Sequence, residues 1–258
     1  MRRMLVRTAA AATLSLSVLL TGTAQPAQAI DPVTTGQVIT AAVKAYEAWK
    51  SNQSTGKVLD AINEAKTAII AHADALAAAD AKACTRHAVI EAEDAAHFSP
   101  DVLATWAQQV TGCVTLIDSL LNAVADKNAI NELGFALGTV GPIALATRRQ
   151  AGLSTAGVQA ILIGSHTRVK TKAAPACHND RSANFNRVFG WSYIYEWGCA
   201  AADGTTDGGR VVYGDNNLPG GMLDELAPAV DLPAIEAKVG QNTSWKLAQV
   251  VLPVLQAA

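Results

Sequence analysis

Four residues of one helical stretch have the types and the spacing that could bind a metal ion. His87, Glu91, Asp94 and His97 fall within an arc of about 120° on a helix, because successive helical residues are about 100° apart. Imidazole and carboxylate groups are ligands for divalent metals. A di-iron bundle would need a second Glu-x-x-His on a partner helix, which the sequence lacks. A solvated polar face is therefore the favoured interpretation, and no cofactor is expected.

A second group of residues is aromatic. Phe189, Trp191, Tyr193, Tyr195 and Trp197 alternate with small or polar residues, a pattern that predicts a strand with one aromatic face. Tyr and Trp combine a large apolar area with a polar group, so they can stack on sugars or contact a peptide. The last four of these residues form a candidate ligand-binding surface. Two alternatives stay open: a buried aromatic core, or a core with an exposed outer ring.

Catalytic groups are sparse in the sequence. His178, Asp180 and Arg181 are close along the chain, but adjacent residues rarely point at one another, and no serine stands in a nucleophile-elbow context. The P-loop, the Rossmann glycine pattern and His-Glu-x-x-His do not occur. We assign no catalytic residue. A secreted hydrolase whose site forms only in the folded chain stays an alternative.

The four cysteines predict two disulfides. An even number of cysteines in an exported chain is typical of a disulfide framework. Cys84 lies 15 residues before Ser99, and Cys113 lies 14 residues after it. A helical hairpin that turns at Ser99 would therefore place these two thiols level with each other. The remaining pair is Cys177 with Cys199.

The stretch from Lys57 to Lys127 predicts that hairpin. Ser99-Pro100-Asp101 has the N-cap serine, the first-position proline and the first-turn acid of a helix start. An Ala-rich helical pattern precedes it from Val58 to His97, with a break expected near Asp80. After it, apolar residues recur at steps of three and four, which predicts a helix packed along its length against another helix: Leu103, Trp106, Val110, Cys113, Ile117, Leu120 and Val124.

The N-terminus has the three parts of a secretory signal peptide. Residues 2–7 contain three arginines, an apolar segment follows from Thr8 to Leu20, and Ala27-Gln28-Ala29 is an A-x-A cleavage site. The apolar segment is too short for a membrane anchor. We expect residues 1–29 to be removed and the protein to be secreted or extracellular.

The mature chain is acidic. Removal of residues 1–29 takes away three arginines and no acids, which lowers the net charge from −2 to −5. This charge argues against nucleic acid as a partner, and an extracellular glycan or protein is expected instead. Leu133 to Ala146 is almost free of charge but shorter than the roughly 20 residues that span a bilayer, so it is predicted to be a core helix. No stable membrane anchor is expected, although an α-helical membrane-active protein in which this segment inserts is an alternative.

Together these patterns predict a mainly α protein in three parts. Residues 1–29 are the signal peptide, and residues 30–168 form a helical bundle built on the disulfide-stapled antiparallel helical hairpin. Residues 169–258 form a small disulfide-bonded α+β module with one β-hairpin, in which residues 210–213 return beside the aromatic strand. The expected function is that of a secreted, non-catalytic interaction protein, which binds a glycan or a protein partner through the aromatic hairpin.

Overall fold

The fold is taken from a computed structural model that describes residues 32–186, 190–215 and 229–258. The expected signal peptide and Phe189 lie outside these ranges, and of the side chains the structure describes neither Trp191 nor Tyr213. Within the ranges the protein is mostly helical, with a small three-stranded antiparallel sheet and two disulfides.

Seven helices precede the sheet and two follow it in the described part of the chain. Those before it are α1 (Pro32–Lys50), α2 (Thr55–Asn63), α3 (Lys66–Ala75), α4 (Ala79–Asp94), α5 (Pro100–Ala123), α6 (Lys127–Gln150) and α7 (Ala156–Lys172). A 3₁₀ turn (Ala95–His97) links α4 to α5. Those after it are α8 (Leu232–Gly240) and α9 (Ser244–Gln256).

The helices pack around α6. This helix contacts each of α1–α5, α7 and α9, and every residue from Leu133 to Ala146 is buried. It is the one helix of the described ranges that is long and apolar enough to cross a membrane, yet 89% of that window is buried inside the protein. The predicted core helix is therefore confirmed. It is longer than the charge-free stretch, because Asp126 caps it by accepting a hydrogen bond from the N–H of Ala129 at 2.8 Å.

Glycines on α6 let neighbouring helices come close. A Cβ atom at Gly134 would lie 2.6 Å from Cβ of Ser244, and one at Gly138 would collide with the Leu247 side chain, so this face seats α9. A Cβ atom at Gly141 would meet the Tyr46 hydroxyl of α1. Small residues at these positions permit contacts that a side chain would exclude.

Both predicted disulfides are confirmed. Cys84 of α4 is bonded to Cys113 of α5, with 5.6 Å between the Cα atoms. The start of α5 is also as predicted, since the Ser99 hydroxyl accepts a hydrogen bond from the N–H of Val102 at 3.4 Å. Cys177 is bonded to Cys199, with 4.0 Å between the Cα atoms.

The sheet has one strand more than the predicted hairpin. Its strands β1 (Ala176–Asn186), β2 (Gly190–Ala200) and β3 (Thr206–Asp215) pair antiparallel in the order β1-β2-β3. The aromatic strand and its returning partner are β2 and β3, but the prediction treated β1 only as a lead-in segment. That prediction was incomplete because β1 is polar and lacks apolar alternation. Its pairing with β2 uses backbone groups and the second disulfide.

The two last helices have different neighbours. Helix α8 contacts all three strands, whereas α9 packs against α7, α1 and α6. Gln159 of α7 donates a hydrogen bond to the carbonyl of Leu255 at 2.7 Å, and the N–H of Ser244 donates one to Asn131 Oδ1 at 2.8 Å. The structure thus places residues 244–256 beside the helices of the first part, and α7 runs past residue 168. A domain boundary at that position stays a prediction.

Candidate functional site

The register of the sheet decides which side chains accompany the aromatic residues. Directly paired residues of an antiparallel sheet point to the same face. Tyr195 pairs with Arg181 of β1 on one side and with Val211 of β3 on the other. Trp197 pairs in the same way with Asn179 and Gly209. We call this side of the sheet, with Tyr193, Tyr195 and Trp197 at its centre, the aromatic face.

The aromatic face contains one buried ring between two partly exposed ones. Tyr195 is 6% exposed, whereas Tyr193 and Trp197 are half-buried. The ring centroids of Tyr195 and Trp197 lie 5.3 Å apart at an interplanar angle of 36°. The exposed Arg181 places its guanidinium carbon 5.5 Å from the Tyr195 ring centroid, within the range of a cation–π interaction. The face therefore presents Tyr, Trp and Arg side chains around a buried tyrosine.

The indole of Trp197 lies over the backbone of β3. A Cβ atom at Gly209 would be 2.9 Å from both Cε2 and Cη2 of this ring and closer still to Cζ2, the atom between them. If the Cβ atom lay in the plane of the ring, it would be clearly farther from Cε2 and Cη2 than from Cζ2. The Cβ position therefore lies above the face of the indole ring. The glycine allows the indole to lie flat on the neighbouring strand.

Helix α8 supports one end of the aromatic face. Cys199 and Ala201 form a small apolar cluster with Val239, against which two further side chains of α8 pack, Leu232 and Ile235. Lys238 of α8 forms an ion pair with Asp207 of β3 at 2.8 Å. The hydrogen bond and the charge of Lys238 lower the pKa of the Asp207 carboxyl below its ordinary value. The disulfide, the apolar cluster and this ion pair fix the sheet near Cys199.

The three residues considered for catalysis do not converge. His178 and Asp180 lie on the opposite face of β1 from Arg181, because strand residues alternate between faces. All three side chains are exposed. The imidazole of His178 lies against Gly198, where a Cβ atom would be 3.1 Å from Cε1. Closeness along the sequence therefore does not bring these three side chains together on one face of the sheet.

Two of the four predicted metal residues line a common groove. His87 and Glu91 line a groove of about 290 Å³ between α4 and α5, whereas Asp94 and His97 are not among its lining residues. Within the described ranges no group of three or more histidine, cysteine, aspartate or glutamate residues could hold a metal ion. His87 Nε2 instead forms a hydrogen bond with Gln109 Oε1 at 3.2 Å. The remaining lining residues come from the turn and from α5: Phe98, Asp101, Val102, Thr105, Trp106 and Gln109.

Sequence reasoning missed a buried polar contact between α1, α3 and α6. Thr35 Oγ1 lies 3.1 Å from His72 Nε2, and His72 Nδ1 lies 3.9 Å from Glu132 Oε2. The order hydroxyl, imidazole, carboxylate is that of a hydrolase triad. However, Thr35 and His72 are each only 5% exposed, and 3.9 Å is too long for a hydrogen bond. We interpret the contact as a structural link between three helices. Its members are far apart in sequence, so no local pattern reveals it.

A second buried pair joins α1 to α7. Tyr46 and His166 are fully buried, and the hydroxyl of the tyrosine lies 3.2 Å from Nε2 of the histidine. Burial lowers the pKa of His166 to about 3 and raises that of Tyr46, because the protein interior disfavours the charged form of each group. The histidine is thus a neutral hydrogen-bonding group of the core.

Fold and site define a mostly helical protein with a small antiparallel sheet and two intramolecular disulfides. Disulfides of this kind favour an oxidising, extracellular environment. Comparison of the chain with protein-family models, with curated proteins and with solved structures finds no match.

Proposed function

We propose that the protein is a secreted, non-catalytic interaction protein whose contact surface is the aromatic face of the sheet. Its partner is an extracellular glycan or protein. The observation that carries this proposal is the flat indole of Trp197, half-buried on Gly209, on the same face as the half-buried Tyr193 and the exposed Arg181.

The residue types of this face favour binding. Tyr, Trp and Arg are the side chains most enriched among residues that dominate the binding energy of protein interfaces. A flat aromatic ring also stacks on the apolar face of a sugar, and Tyr and Trp lose little entropy on contact because they have only two side-chain torsions. The buried Tyr195 holds its neighbours in place and so acts as a support for the contact residues.

The strands of the surface are tied together by pairing and by a disulfide, which lowers the entropic cost of binding. Strand β2 is paired on both sides along its length, and Cys177–Cys199 ties β1 to β2 near α8. Side chains that are already ordered before binding lose less entropy when a partner arrives. A pre-formed face of this kind suits recognition without chemistry.

The proposal includes secretion and the organisation of the helices. The N-terminal pattern of residues 1–29 and the two disulfides support export to an oxidising compartment. The Cys84–Cys113 disulfide and the His87–Gln109 hydrogen bond support an antiparallel α4–α5 hairpin as the organising unit of a helical bundle. The membrane-active alternative is disfavoured, because insertion would remove α6 from its contacts with seven helices.

Two binding experiments test the proposal. The first titrates the purified protein with soluble chitin and cell-wall oligosaccharides and follows tryptophan fluorescence. The second places a photo-cross-linking phenylalanine analogue at Tyr193 and exposes the protein to the extracellular proteins of its source. We expect a saturable fluorescence change with one glycan class, or cross-links to a defined protein.

Matched variants decide whether the aromatic face is responsible. Trp197→Ala and Arg181→Ala should weaken the interaction about tenfold or more, a typical loss for a dominant contact residue. Val212→Ala is the control, because Val212 is 56% exposed on the opposite face of the same sheet. The cross-linker at position 212 is the corresponding control in the second experiment. A glycan response that survives in a folded Trp197→Ala variant, or equal cross-linking from both positions, would contradict the proposal.

A further inference from the structure

The groove between α4 and α5 has a lining that the proposed function does not use. Its volume is about 290 Å³, at the lower end of the range of small-molecule sites. Trp106, which is only 3% exposed, and the half-buried Phe98 pack together in it, with 5.5 Å between ring centroids and an interplanar angle of 86°. Val102, with 49% of its surface exposed, extends the apolar lining outward. The indole N–H of Trp106 is buried and has no acceptor among the described residues.

Two carboxylates border this aromatic floor from different helices. Glu91 comes from α4 and Asp101 from the first turn of α5. The described lining includes no lysine or arginine, and neither carboxylate has an ion-pair partner among the described residues. The groove therefore combines aromatic rings with carboxylates that no basic side chain of the described residues neutralises.

Some acids on or beside α4 have basic partners. Asp74 of α3 is paired with Arg86 and Lys82 of α4, and Glu93 of α4 is paired with Lys66 at 2.6 Å. Glu91 lies instead in the last turn of α4, where the helix dipole disfavours negative charge, and no basic residue occurs in that turn. Asp94 in the same turn also has no ion-pair partner among the described residues, so this end of α4 concentrates negative charge.

We propose that this groove binds a small organic cation, of the class of substituted ammonium ions. The ammonium group lies over the aromatic rings, whose π faces attract cations within about 6 Å of the ring centroid. Glu91 and Asp101 supply opposite charge on either side. The proposal goes beyond the proposed function, since the groove lies on the helices and not on the sheet.

The test compares choline with 3,3-dimethylbutan-1-ol, which has the same shape and hydroxyl group but no charge. The purified protein is titrated with each compound, and binding is followed by the shift of indole N–H signals in NMR spectra. We expect choline to shift one tryptophan signal to saturation and the neutral compound to leave it unchanged. The choline affinity should fall as salt is added, because exposed charges are screened.

Paired variants test the role of the carboxylates. Glu91→Gln with Asp101→Asn should weaken choline binding about tenfold, since each exposed charge pair contributes up to about fivefold. Glu47→Gln with Asp60→Asn is the matched control, because it removes the same charges from exposed positions on α1 and α2. Equal shifts by the charged and the neutral compound, equal affinities of the two double variants, or the absence of a saturable shift with choline would each overturn the proposal.

Discussion

The buried His166 makes the stability of the protein depend on pH in a defined direction. Burial lowers the pKa of His166 to about 3, whereas a histidine in the unfolded chain titrates near 6.5. Between these two values the unfolded chain binds a proton that the folded protein does not bind. The free energy of unfolding therefore falls as the pH is lowered through this window, by about 1.4 kcal/mol per pH unit. Above pH 7 the contribution of this histidine to the pH dependence disappears.

Urea denaturation at several pH values measures this effect. Between pH 6.5 and 4.5 the wild-type protein should lose roughly 2–3 kcal/mol of stability through His166 alone. In His166→Gln the amide can still form a hydrogen bond with Tyr46 but cannot titrate. The difference in unfolding free energy between the wild-type and variant proteins should therefore change by roughly 2–3 kcal/mol between pH 6.5 and 4.5. His178→Gln is the matched control, because it makes the same substitution at an exposed position.

Parallel pH profiles of the wild-type and His166→Gln proteins would refute this reasoning. If the variant does not fold, the wild-type protein still provides a direct measurement. The ring signals of His166 in NMR spectra should show no titration between pH 7 and 4.5, since its pKa is about 3. A titration near 6.5 would mean that the imidazole is open to water.

Two further predictions concern the helices. The double variant Cys84→Ser/Cys113→Ser opens the loop between two cysteines that are 29 residues apart in sequence. In the chain-entropy model, its loss should lower the free energy of unfolding by about 3.5 kcal/mol. An unchanged midpoint of urea denaturation would contradict this prediction. Gly134→Val would force a side chain against Ser244 and should cost about 1–3 kcal/mol by overpacking. Gly112→Ala is its control, because a Cβ atom there meets nothing within 4 Å. This substitution should stabilise α5 by about 0.5–1 kcal/mol in the same urea denaturation experiment.

Local patterns in the sequence predict those elements whose signals are local. The Ser99-Pro100-Asp101 start of α5 and its apolar stripe depend on residues within a few turns of each other. The structure has the start and the stripe as far as Ile117, after which Leu121 is buried instead of Leu120 and the helix ends at Ala123. The alternation from Trp191 to Trp197 likewise predicts β2, which the structure extends to Ala200. In these segments the local propensities, the capping residues and the apolar spacing all favour the same secondary structure. Tertiary contacts therefore do not change the element that the local sequence favours.

The Ala-rich stretch from Val58 to His97 shows the limit of such patterns. We predicted one long helix with a break near Asp80, and the structure has three helices, α2, α3 and α4. One interruption lies at residues 76–78, close to the prediction, and another at Glu64 and Ala65 was not expected. Alanine favours a helix in every context and carries little information about which face is buried. The ends of these helices are therefore set by packing against α1 and α6.

The candidate sites were predictable to different degrees. The aromatic face follows from alternation alone, but the contributions of Arg181 and Gly209 depend on strand register, and β1 was not recognised as a strand. The metal hypothesis placed His87 and Glu91 on one helix face, and the structure adds an aromatic floor from the following turn and α5. Local sequence patterns do not show which distant segments pair with each other, and both candidate sites depend on such pairing.

Each disulfide lies close to a candidate site. Cys84 precedes His87 by about one helical turn, and Cys113 follows Gln109 by about one turn, so the bond sets the spacing of α4 and α5 beside the groove. Cys177–Cys199 holds β1 and β2 in the register that places Arg181 over Tyr195. A covalent cross-link keeps neighbouring elements in register at positions where few apolar side chains hold them together. Each disulfide therefore stabilises the fold and also fixes the geometry of the candidate surface beside it.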